Sequence, residues 1–526
     1  MNRFAFRVLI IAIACCAVAA VASAAERSKL VFPAKDGKLQ YAPDGNGNAI
    51  PDFSHCGYMG GGVAIPDVPV KVTLKPEKGA NGDDTQRIQN AIDEVAKLSP
   101  DQNGIRGAVL LRKGTYRVAG QLKITTGGVV LRGEGDGDNG TTLFAVGKQR
   151  RALIDVKGES GAKDDEASAT KITSDVVPVG ARRFDVADAT GFKVGDLVTV
   201  RRVGNTAWIS AIGMDKIQMR PGGSGTKQWT AFDMDFERII TDIKGNQVTV
   251  DAPIVCAIES KWGGGSLMKC EDAGRIEQVG IEHLRGVSEF DPSVKKKQGD
   301  RDYLADDEHA DYLASFDNVR NGWLRNATTR HFFHGPVTLR GGAKWITVAD
   351  CKSLEPVGTI TGGTRYPFSY QGQQLLTIGC YSSEARHAFV VGSRVPGPNA
   401  FVDCTSERDY GNSEPHHRWS VGGLYDNVKG KIAIQDRQWM GSGHGWSGAN
   451  YVTWNCQGTM IAQSPPTANT WVVGFVGEKD KPAFERPDAT WEATGRHVEP
   501  RSLYLKQLED RLGAKAVENI AGKAGK

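Results

Sequence analysis

Short apolar runs recur through the back half of the chain and end in small residues at regular intervals. The runs "WITVADC", "LLTIGC", "AFVDC" and "YVTWNC" end at Cys351, Cys380, Cys404 and Cys456. The steps between these cysteines are 29, 24 and 52 residues, and 52 is twice 26. Val428 lies near the middle of the long step, and Ala327 lies one step before Cys351. A repeat of this length predicts a solenoid.

The composition of the repeats favours strands over helices. Each repeat contains several short β-rich runs separated by glycine and asparagine, and no helical periodicity is present. One coil of a parallel β-helix fits this pattern, because each strand can pair with its equivalent in the next coil about 4.8 Å away. The cysteine column then faces inward as small apolar side chains. Neighbouring members of the column would also be close enough for a disulfide, which remains an alternative.

The front of the chain predicts a cap for this solenoid. "GDDTQRIQNAIDE" begins with an Asp-Asp-Thr cap and continues into an apolar helical face formed by Ile88, Ala91, Ile92 and Val95. The strands "GAVLLRKGTYRV" and "GGVVLRGEG" follow. This opening resembles that of the pectate-lyase-like right-handed parallel β-helix superfamily. The resemblance implies the fold, but not one function, since lyases, hydrolases, epimerases and phage tailspikes share it.

We therefore predict an all-β protein: a right-handed, single-stranded parallel β-helix with an N-terminal capping helix, a β-rich insertion and a C-terminal helix. The predicted segments are a signal peptide (1–24), an N-terminal extension (25–66), the cap and first coils (67–170), the insertion (171–262), the coils that carry the active groove (263–478) and a tail with a helix (479–526). In the tail helix, the candidate packing residues are Leu503, Leu505, Leu508 and Leu512.

The first 24 residues carry the features of a secretory signal. Arg3 and Arg7 precede an apolar stretch over 9–21, and "ASA" follows as a small-residue cleavage site. An uncleaved anchor is the alternative. We expect a secreted or periplasmic protein with no stable membrane insertion after cleavage. Seven cysteines then remain, and an odd number does not indicate a complete disulfide framework.

Composition limits the possible partners. The 526 residues are 40% hydrophobic, which suffices for a large core, and the net charge is only +4. This charge gives no indication of nucleic-acid binding, so any anion recognition must come from local clusters of charge. We expect a monomer with no nucleic-acid partner.

Such a cluster is predicted by the arginine spacing. Arg340 lies 13 residues after Ala327, and Arg365, Arg394 and Arg418 each lie 14 residues after a column cysteine. If the variable part of each coil follows the arginine, the four arginines stack along about 14 Å of the solenoid. Guanidinium groups bind carboxylates through two hydrogen bonds, so this column suits an anionic polysaccharide. Alternatively, each arginine pairs with a local carboxylate such as Asp403, Glu407, Asp409 or Glu414.

Histidines and aromatic residues accompany these arginines. His334 and His387 each lie seven residues after a column position, and "SEPHHRWS" places two histidines directly before Arg418. Tyr366 and Trp419 each follow a column arginine, where an aromatic face can stack on a sugar ring. A structural role is the alternative for each single histidine. The predicted substrate-binding residues are Arg340, Arg365, Tyr366, His334, His416, Trp419, Arg437 and His444.

A cationic groove suits β-elimination of a uronic-acid polysaccharide. A cation on the carboxylate stabilises the charge that develops when a base removes the C5 proton, and an acid assists the leaving oxygen. We predict Arg394 and Arg418 as carboxylate neutralisers, His417 or His387 as the base and Tyr425 as the acid. The predicted function is thus a polysaccharide lyase.

Two other functions remain open. A hydrolase needs two carboxylates that flank the scissile bond, and the candidates are Glu384, Asp409, Glu414, Asp426 and Asp436. "GHG" at 443–445 resembles one motif of polygalacturonase-type hydrolases, although the companion motifs of that family are missing. The other function that remains open is that of a secreted glycan-binding adhesin.

No cofactor is required by these motifs. "GDGDNG" at 135–140 and "ADDEHAD" at 305–311 are acidic enough for Ca²⁺, which is a possible ligand, although such segments are more often solvated turns. Adjacent residues on a strand point to opposite faces, so His416 and His417 are not expected to meet at one ion.

Overall fold

The computed structural model describes residues 26–77, 82–223 and 225–521. The predicted signal peptide lies outside the described residues. Within the described part of the chain, no helix is both long enough and apolar enough to cross a membrane.

The backbone winds as a right-handed coil whose successive turns pair in parallel, as predicted. Two of its three walls belong to a 21-stranded sheet, and the third is a seven-stranded sheet. Wall 1 contains Val70–Leu74, Gly107–Leu111, Val129–Arg132, Lys344–Ala349, Leu376–Ile378, Asn399–Val402, Gly423–Asp426, Val452–Trp454, Trp471–Val473 and Thr490–Glu492.

The other two walls follow wall 1 around each coil. Wall 2 contains Gly114–Val118, Thr141–Ala145, Lys352–Leu354, Tyr381–Ser383, Thr405–Glu407, Lys429–Ile434, Gln457–Ala462 and Val476–Lys479. The long strands Gly280–Ser288 and Val319–Arg330 run through walls 1 and 2. Wall 3 contains Leu122–Ile124, Ala152–Lys157, Tyr312–Asp317, Gly335–Leu339, Phe368–Tyr370, Phe389–Val391 and Glu414–Pro415.

The predicted inward column is confirmed. The pairs Leu324↔Val348, Ala349↔Ile378, Ile378↔Val402, Val402↔Asp426 and Asp426↔Trp454 fix the register of wall 1. That register stacks Ala327, Cys351, Cys380, Cys404, Val428 and Cys456, all of which are buried. The described cysteines are all free, so the disulfide alternative is not adopted.

A second column lies one residue before the first and explains why glycine and asparagine recur between the short strands. Asn326, Asp350, Asp403, Asn427 and Asn455 have φ values between 48° and 54°. This left-handed conformation turns the chain from wall 1 into wall 2, and it is tolerated by asparagine, aspartate and glycine. Gly379 occupies the same position in its coil, with φ 65°.

The predicted capping helix is Thr85–Ala96. It buries Ile88, Ala91, Ile92 and Val95 against the first coils, as its apolar periodicity predicts. Asp84 is the N-cap residue, but its side chain makes no capping hydrogen bond; the carboxylate of the preceding Asp83 accepts the Thr85 backbone N–H at 2.9 Å.

The insertion is an antiparallel six-stranded sheet with its own core. Its strands are Lys163–Lys171, Arg183–Asp185, Leu197–Arg202, Met234–Lys244, Gln247–Val250 and Gly265–Glu271. These bounds extend a few residues beyond the 171–262 predicted from sequence. The insertion also contains Val176–Val177 paired with Ile258–Glu259, the helix Thr206–Ala211 and the 3₁₀ turn Ser260–Trp262.

The described part of the tail contains two helices, Leu503–Leu512 and Ala514–Ala521. Leu503 and Leu508 pack on the outer side of wall 1 with residues of the N-terminal extension, including Val31 and Phe53. The tail helices therefore cover a flank of the coil. Leu512 is largely exposed.

Further short elements are Glu26–Arg27 with Val498–Glu499, Val31–Pro33 with Leu39–Tyr41, Ser420–Val421 with Gly448–Ala449, Ile276–Glu277, Tyr58–Gly60 and Met440–Gly443.

Candidate functional site

The four-arginine column is only half correct. The Arg394 backbone N–H donates to the Arg418 carbonyl at 3.0 Å, so these two residues do lie on adjacent coils in register. Arg365, however, is level with Arg386, whose N–H donates to the Arg365 carbonyl at 3.0 Å. Arg340 follows Leu339, which the wall 3 pairing aligns with Tyr370 and Val391.

The length of one turn explains this error. The turn between walls 2 and 3 spans 355–367 in one coil and only 384–388 in the next. The extra residues precede Arg365, whereas the sequence argument placed the variable segment after each arginine. Equal counts from the cysteine column therefore do not give equal positions around the coil.

Arg365 is not available to a substrate carboxylate. Its side chain is buried, at 1% exposure, and donates to the backbone carbonyls of Gly358, Glu384 and Leu304. Burial lowers the pKa of its guanidinium. Arg365 thus anchors the long turn, and its predicted binding role is wrong.

Two other predicted residues face the interior. Tyr425 is fully buried in the coil, its hydroxyl donates to the Phe389 carbonyl at 3.1 Å, and burial raises its pKa well above the ordinary value. Trp419 is 1% exposed and packs edge-on against Trp208 in the core of the insertion, with ring centroids 5.2 Å apart. Neither side chain can act on a bound glycan, so both predictions are corrected.

The remaining predicted histidines do come together. The histidine cluster consists of His334, Tyr366, Arg386, His387, Glu414, His416, His417, Arg437 and His444. Its rings form a continuous series, with centroid separations of 5.7 Å (His334–Tyr366), 5.1 Å (Tyr366–His387 and His387–His416), 4.9 Å (His416–His417) and 4.8 Å (His417–His444). The cluster lies where wall 3 meets its flanking turns.

A chain of hydrogen bonds links four of these side chains. Arg386 donates to the Tyr366 hydroxyl at 2.7 Å. That hydroxyl lies 3.0 Å from His416 Nε2, and His416 Nδ1 lies 2.8 Å from His417 Nδ1. Tyr366, Arg386 and His417 are all partly exposed. We call Tyr366, His416 and His417 the relay.

The relay corrects the expectation that His416 and His417 point apart. The strand ends at Pro415, and the backbone of Arg418 is already left-handed at φ 57°. The alternation of an extended strand therefore does not apply at His416 and His417, and the two rings face one another.

His334 and His387 lie beneath the relay and position it. His334 Nδ1 accepts the backbone N–H of Tyr366 at 3.1 Å, and its ring stacks on Tyr312. His387 Nδ1 donates to the Asn412 carbonyl at 2.6 Å, which leaves its buried Nε2 without a hydrogen-bond partner. Both rings are buried, so direct binding of substrate by His334 is not supported by its position.

The histidines of the cluster are held neutral. Burial lowers the pKa of His334 to about 3, and burial together with Arg418 lowers the pKa of His417 to about 4. Burial and then Arg437 lower the pKa of His444 to about 3. The pKa values of His387 and His416 are also depressed, chiefly by burial. Neutral imidazoles can accept a proton from a substrate.

Glu414 is the carboxylate inside the cluster. Its side chain is 2% exposed, and Arg437 Nη1 donates to Glu414 Oε1 at 2.6 Å. Burial raises the pKa of Glu414 to about 7 against the opposing charges of Arg437 and Arg386. Arg437 also donates to the His416 carbonyl at 2.6 Å, so this pair supports the relay from below.

The cluster fits a metal ion poorly. Among the described residues, His387, Glu414 and His416 form a group whose ligand atoms lie within 4.8 Å of one another. However, Arg437 already occupies Glu414 Oε1, and the Tyr366 hydroxyl occupies His416 Nε2. A cation there would also meet the charges of Arg386 and Arg437.

The two acidic segments proposed for Ca²⁺ do not assemble ligand groups within the described residues. Asp136 accepts the Thr328 hydroxyl, and Asp138 pairs with Arg285. In the second segment, Asp306 accepts the Asp291 backbone N–H. These carboxylates already form hydrogen bonds or ion pairs with other groups of the protein.

The carboxylates proposed for hydrolysis are also dispersed. Asp426 accepts the Ser502 hydroxyl and the Tyr504 N–H at the start of a tail helix, and Asp436 pairs with Arg486. Asp409 accepts the Ala385 N–H at 3.1 Å. Glu384 lines a separate pocket. Of the five, Glu414 alone belongs to the cluster.

Packing explains the glycines of "GHG". Gly443 and Gly445 have φ values of 86° and 56°, and an added Cβ would lie 2.5 Å from the Lys227 carbonyl and 2.4 Å from Met214 Sδ, respectively. The insertion therefore needs glycine on both sides of His444 to approach the cluster. The motif gives no separate support for a hydrolase.

The insertion forms one side of the site beside Arg394 and Arg418. Arg418 donates to the Ser442 hydroxyl at 2.7 Å, and the Arg394 guanidinium lies 4.1 Å from the centre of the Phe232 ring. Burial, and then the neighbouring charge of Arg418, lowers the pKa of Arg394. Within the described part of the chain, neither arginine has a carboxylate partner.

Arg386 is a site residue that the arginine spacing does not predict. It lies only six residues after Cys380, and its position beside Tyr366 depends on the unequal turns between walls 2 and 3. Arg340, by contrast, is exposed and donates to the Ser315 hydroxyl at 3.1 Å.

Comparisons with known proteins give structural similarity without sequence similarity. No known protein family matches the chain, and no curated protein matches its sequence. The Gp54 tailspike of Acinetobacter baumannii bacteriophage AP22, solved with a capsular saccharide, is 13% identical, with a TM-score of 0.40 over 76% of this chain and 56% of the tailspike. This chain thus spans little more than half of that tailspike.

Two further solved structures cover most of both chains. Polygalacturonase from Erwinia carotovora ssp. carotovora is 12% identical, with a TM-score of 0.35 over 83% of this chain and 98% of the enzyme. PfbA, a surface adhesin of Streptococcus pneumoniae, is 9% identical, with a TM-score of 0.34 over 83% of this chain and 80% of the adhesin. The strand pairing of the chain itself shows a right-handed parallel β-helix, which is the fold that the resemblance implies.

Proposed function

We propose that the protein is a polysaccharide lyase that cleaves a uronic-acid-containing glycan by β-elimination at the histidine cluster. The observation that carries this proposal is the relay, a hydrogen-bonded path between a neutral histidine and a tyrosine. β-Elimination needs a base for the C5 proton and an acid for the leaving oxygen, and the two ends of the relay supply these groups.

Arg394 and Arg418 neutralise the substrate carboxylate in this proposal. They lie on adjacent coils, and neither is paired with a carboxylate of the described chain. A cation at the uronate carboxylate lowers the energy of the charge that develops when C5 loses its proton. This part of the predicted mechanism is retained.

His417 is the proposed base, because His387 is buried and donates its Nδ1–H to the chain. Tyr366 replaces Tyr425 as the acid. His417 Nε2 takes the C5 proton, the C5–H electron pair forms the C4–C5 double bond, and the C4–O bond breaks. The leaving oxygen takes the proton of the Tyr366 hydroxyl.

The relay then returns a proton to Tyr366. His417 donates its Nδ1 proton to His416 Nδ1, and His416 donates its Nε2 proton to the Tyr366 oxygen. Arg386 stabilises the transient phenolate through its 2.7 Å contact. The proton lost from the sugar replaces the proton given to the leaving group, but both imidazoles end in the opposite tautomer. His417 Nε2 then loses its proton to solvent, the two relay protons move back, and Tyr366 takes a proton from solvent, since Tyr366 and His417 are both partly exposed.

The test is elimination by the full chain on polygalacturonate, alginate, glycosaminoglycans and ulvan-type polymers. Unsaturated products, followed by ultraviolet absorbance, are expected. New reducing ends without unsaturation would indicate a hydrolase, and binding without cleavage would indicate an adhesin. Either result contradicts the proposal.

Tyr366→Phe tests the assignment of the acid. We expect kcat to fall about 100-fold or more with little change in KM, since the ring remains while the proton is lost. Tyr381→Phe is the matched control, because Tyr381 is partly exposed and its hydroxyl donates to Glu407 at 2.9 Å outside the cluster. Full activity of Tyr366→Phe would exclude Tyr366 as the acid.

Secretion belongs to the same proposal, because a polysaccharide substrate lies outside the cytoplasm. The basic and apolar segments of residues 1–24 support it.

A further inference from the structure

A cavity lies beside the histidine cluster. Its volume is about 370 Å³, and it opens between the hairpin Lys295–Gln298/Arg301–Leu304 and the turns that join walls 2 and 3. The cavity is within the size range of small-ligand sites. None of the relay residues lines it.

The cavity and the cluster are neighbours along three successive coils. Arg365 lines the cavity and Tyr366 belongs to the cluster, and Glu384 lies two residues before Arg386. Tyr410 lines the cavity two residues before Asn412, whose carbonyl accepts from His387. Two residues span at most about 7 Å, so a ligand unit in the cavity lies close to a unit at the relay.

Aromatic rings form part of the cavity wall. Tyr303 and Tyr410 are partly exposed, with ring centroids 6.1 Å apart. The Arg365 guanidinium lies 5.7 Å and 5.1 Å from these two rings, while its N–H groups are used on backbone carbonyls. The tyrosines thus offer apolar surface to the C–H face of a sugar, and Arg365 is not free to bind a carboxylate.

The charges of the cavity differ from those of the cluster. Glu355 and Glu384 face the cavity, and each is balanced by cationic neighbours: Arg330 lies 3.1 Å from Glu355, and Arg408 lies 3.5 Å from Glu384. The lining also contains Lys295 and Asp302. Carboxylates accept hydrogen bonds from sugar hydroxyls, whereas Arg330, Arg408 and Arg365 are already engaged with protein groups and are not free to pair with a second substrate carboxylate.

We propose that this cavity binds a neutral, hydroxyl-rich sugar next to the uronate at the relay. The inference rests on the proposed function and narrows its substrate class. The substrate is then a heteropolymer in which uronic acids adjoin neutral or N-acetylated sugars, and polymers made of uronic acid alone are poor substrates.

The test is calorimetric binding of tetrasaccharides to the full chain. The alternating probes come from hyaluronan, chondroitin and ulvan, and the uniform probe is tetragalacturonate. We expect at least one alternating probe to bind about tenfold more tightly than tetragalacturonate. Equal or tighter binding of tetragalacturonate, or binding of no probe, overturns the inference.

Two variants locate the preference in the cavity. Tyr303→Ala is expected to lower the affinity for the preferred alternating probe about tenfold and to change the affinity for tetragalacturonate by less than twofold. Tyr303→Phe should retain the wild-type affinity for both probes. Glu355→Gln/Glu384→Gln is expected to strengthen tetragalacturonate binding at least threefold, with exposed Glu478→Gln as the control. Unchanged affinities in both cavity variants contradict the assignment.

Cleavage assays separate this inference from the proposed function. If unsaturated products form but the cavity variants do not alter the preference between polymers, only the inference fails. If no polymer yields unsaturated products, the lyase proposal fails, and the tetrasaccharide affinities still decide whether the cavity selects a neutral sugar.

Discussion

Acidification combined with the substitution His417→Gln tests whether the cluster holds its histidines neutral. Burial and Arg418 lower the pKa of His417 to about 4 in the fold, compared with about 6.5 in an unfolded chain. A histidine whose folded pKa is depressed stabilises the fold above the unfolded pKa. That contribution is lost as the pH falls toward the folded pKa.

The magnitude follows from the two pKa values. At pH 5 the unfolded histidine is almost fully protonated, while folded His417 is mostly neutral. The difference in bound protons between pH 7 and pH 5 corresponds to a loss of about 1.8 kcal/mol of unfolding free energy from His417. This is a sizeable part of a typical stability of about 5–15 kcal/mol.

The comparison must be made between variants, because other groups act in the opposite direction. Burial raises the pKa of Asp409, Asp426 and Glu414 to about 7, and such carboxylates gain stability as the pH falls from 7 toward their unfolded pKa. The overall pH dependence of the wild type therefore mixes contributions of both signs.

Urea unfolding followed by tryptophan fluorescence at pH 7, 6 and 5 measures the difference. We expect His417→Gln to become more stable relative to wild type by about 1.8 kcal/mol on going from pH 7 to pH 5. His497→Gln, which removes an exposed histidine, is the matched control. Parallel profiles for wild type and His417→Gln would refute the claim that the cluster keeps His417 neutral.

Three further predictions concern residues around the site and in the coil. Trp419→Ala should lower the unfolding free energy by about 3–5 kcal/mol, measured by urea unfolding, because its ring fills the insertion core. Asp350→Val should lower the unfolding free energy by about 1 kcal/mol or more in the same assay, because the left-handed backbone at Asp350, with φ 54°, is strained for a β-branched residue. Asp350→Asn should be tolerated, since asparagine adopts this conformation readily. Arg418→Ala should weaken uronate binding about tenfold in titrations, and less strongly in high salt; salt-independent loss argues against an ionic contact.

The repeat could be predicted from the sequence, because it depends on local rules. An inward column and a left-handed turn occur once per coil, so Cys351, Cys380 and Cys404 reveal the period directly. The side chains that face outward obey no such rule. The arginine count failed at Arg365 because one long turn moved it to the junction of walls 2 and 3.

The candidate site was partly predictable by residue type and not by arrangement. The abundance of histidines identified His416, His417 and His444, and the register then placed Tyr366 and Arg386 beside them. Tyr425 and Trp419 share the chemistry of surface residues. Sequence alone does not show which face of the four-residue strand Gly423–Asp426 is buried, or that the insertion will bury Trp419.

The sequence by itself determined the coil, its circumference, its capping helix and the inward column, because these arise from side-chain periodicity and backbone preferences within each turn. Only the tertiary structure decided which polar groups meet. Turn lengths and the packing of the insertion set the rotation of each residue around the coil, and a hydrogen bond of about 3 Å depends on that rotation. The relay exists because three coils and their unequal turns bring Tyr366, His416 and His417 to one place.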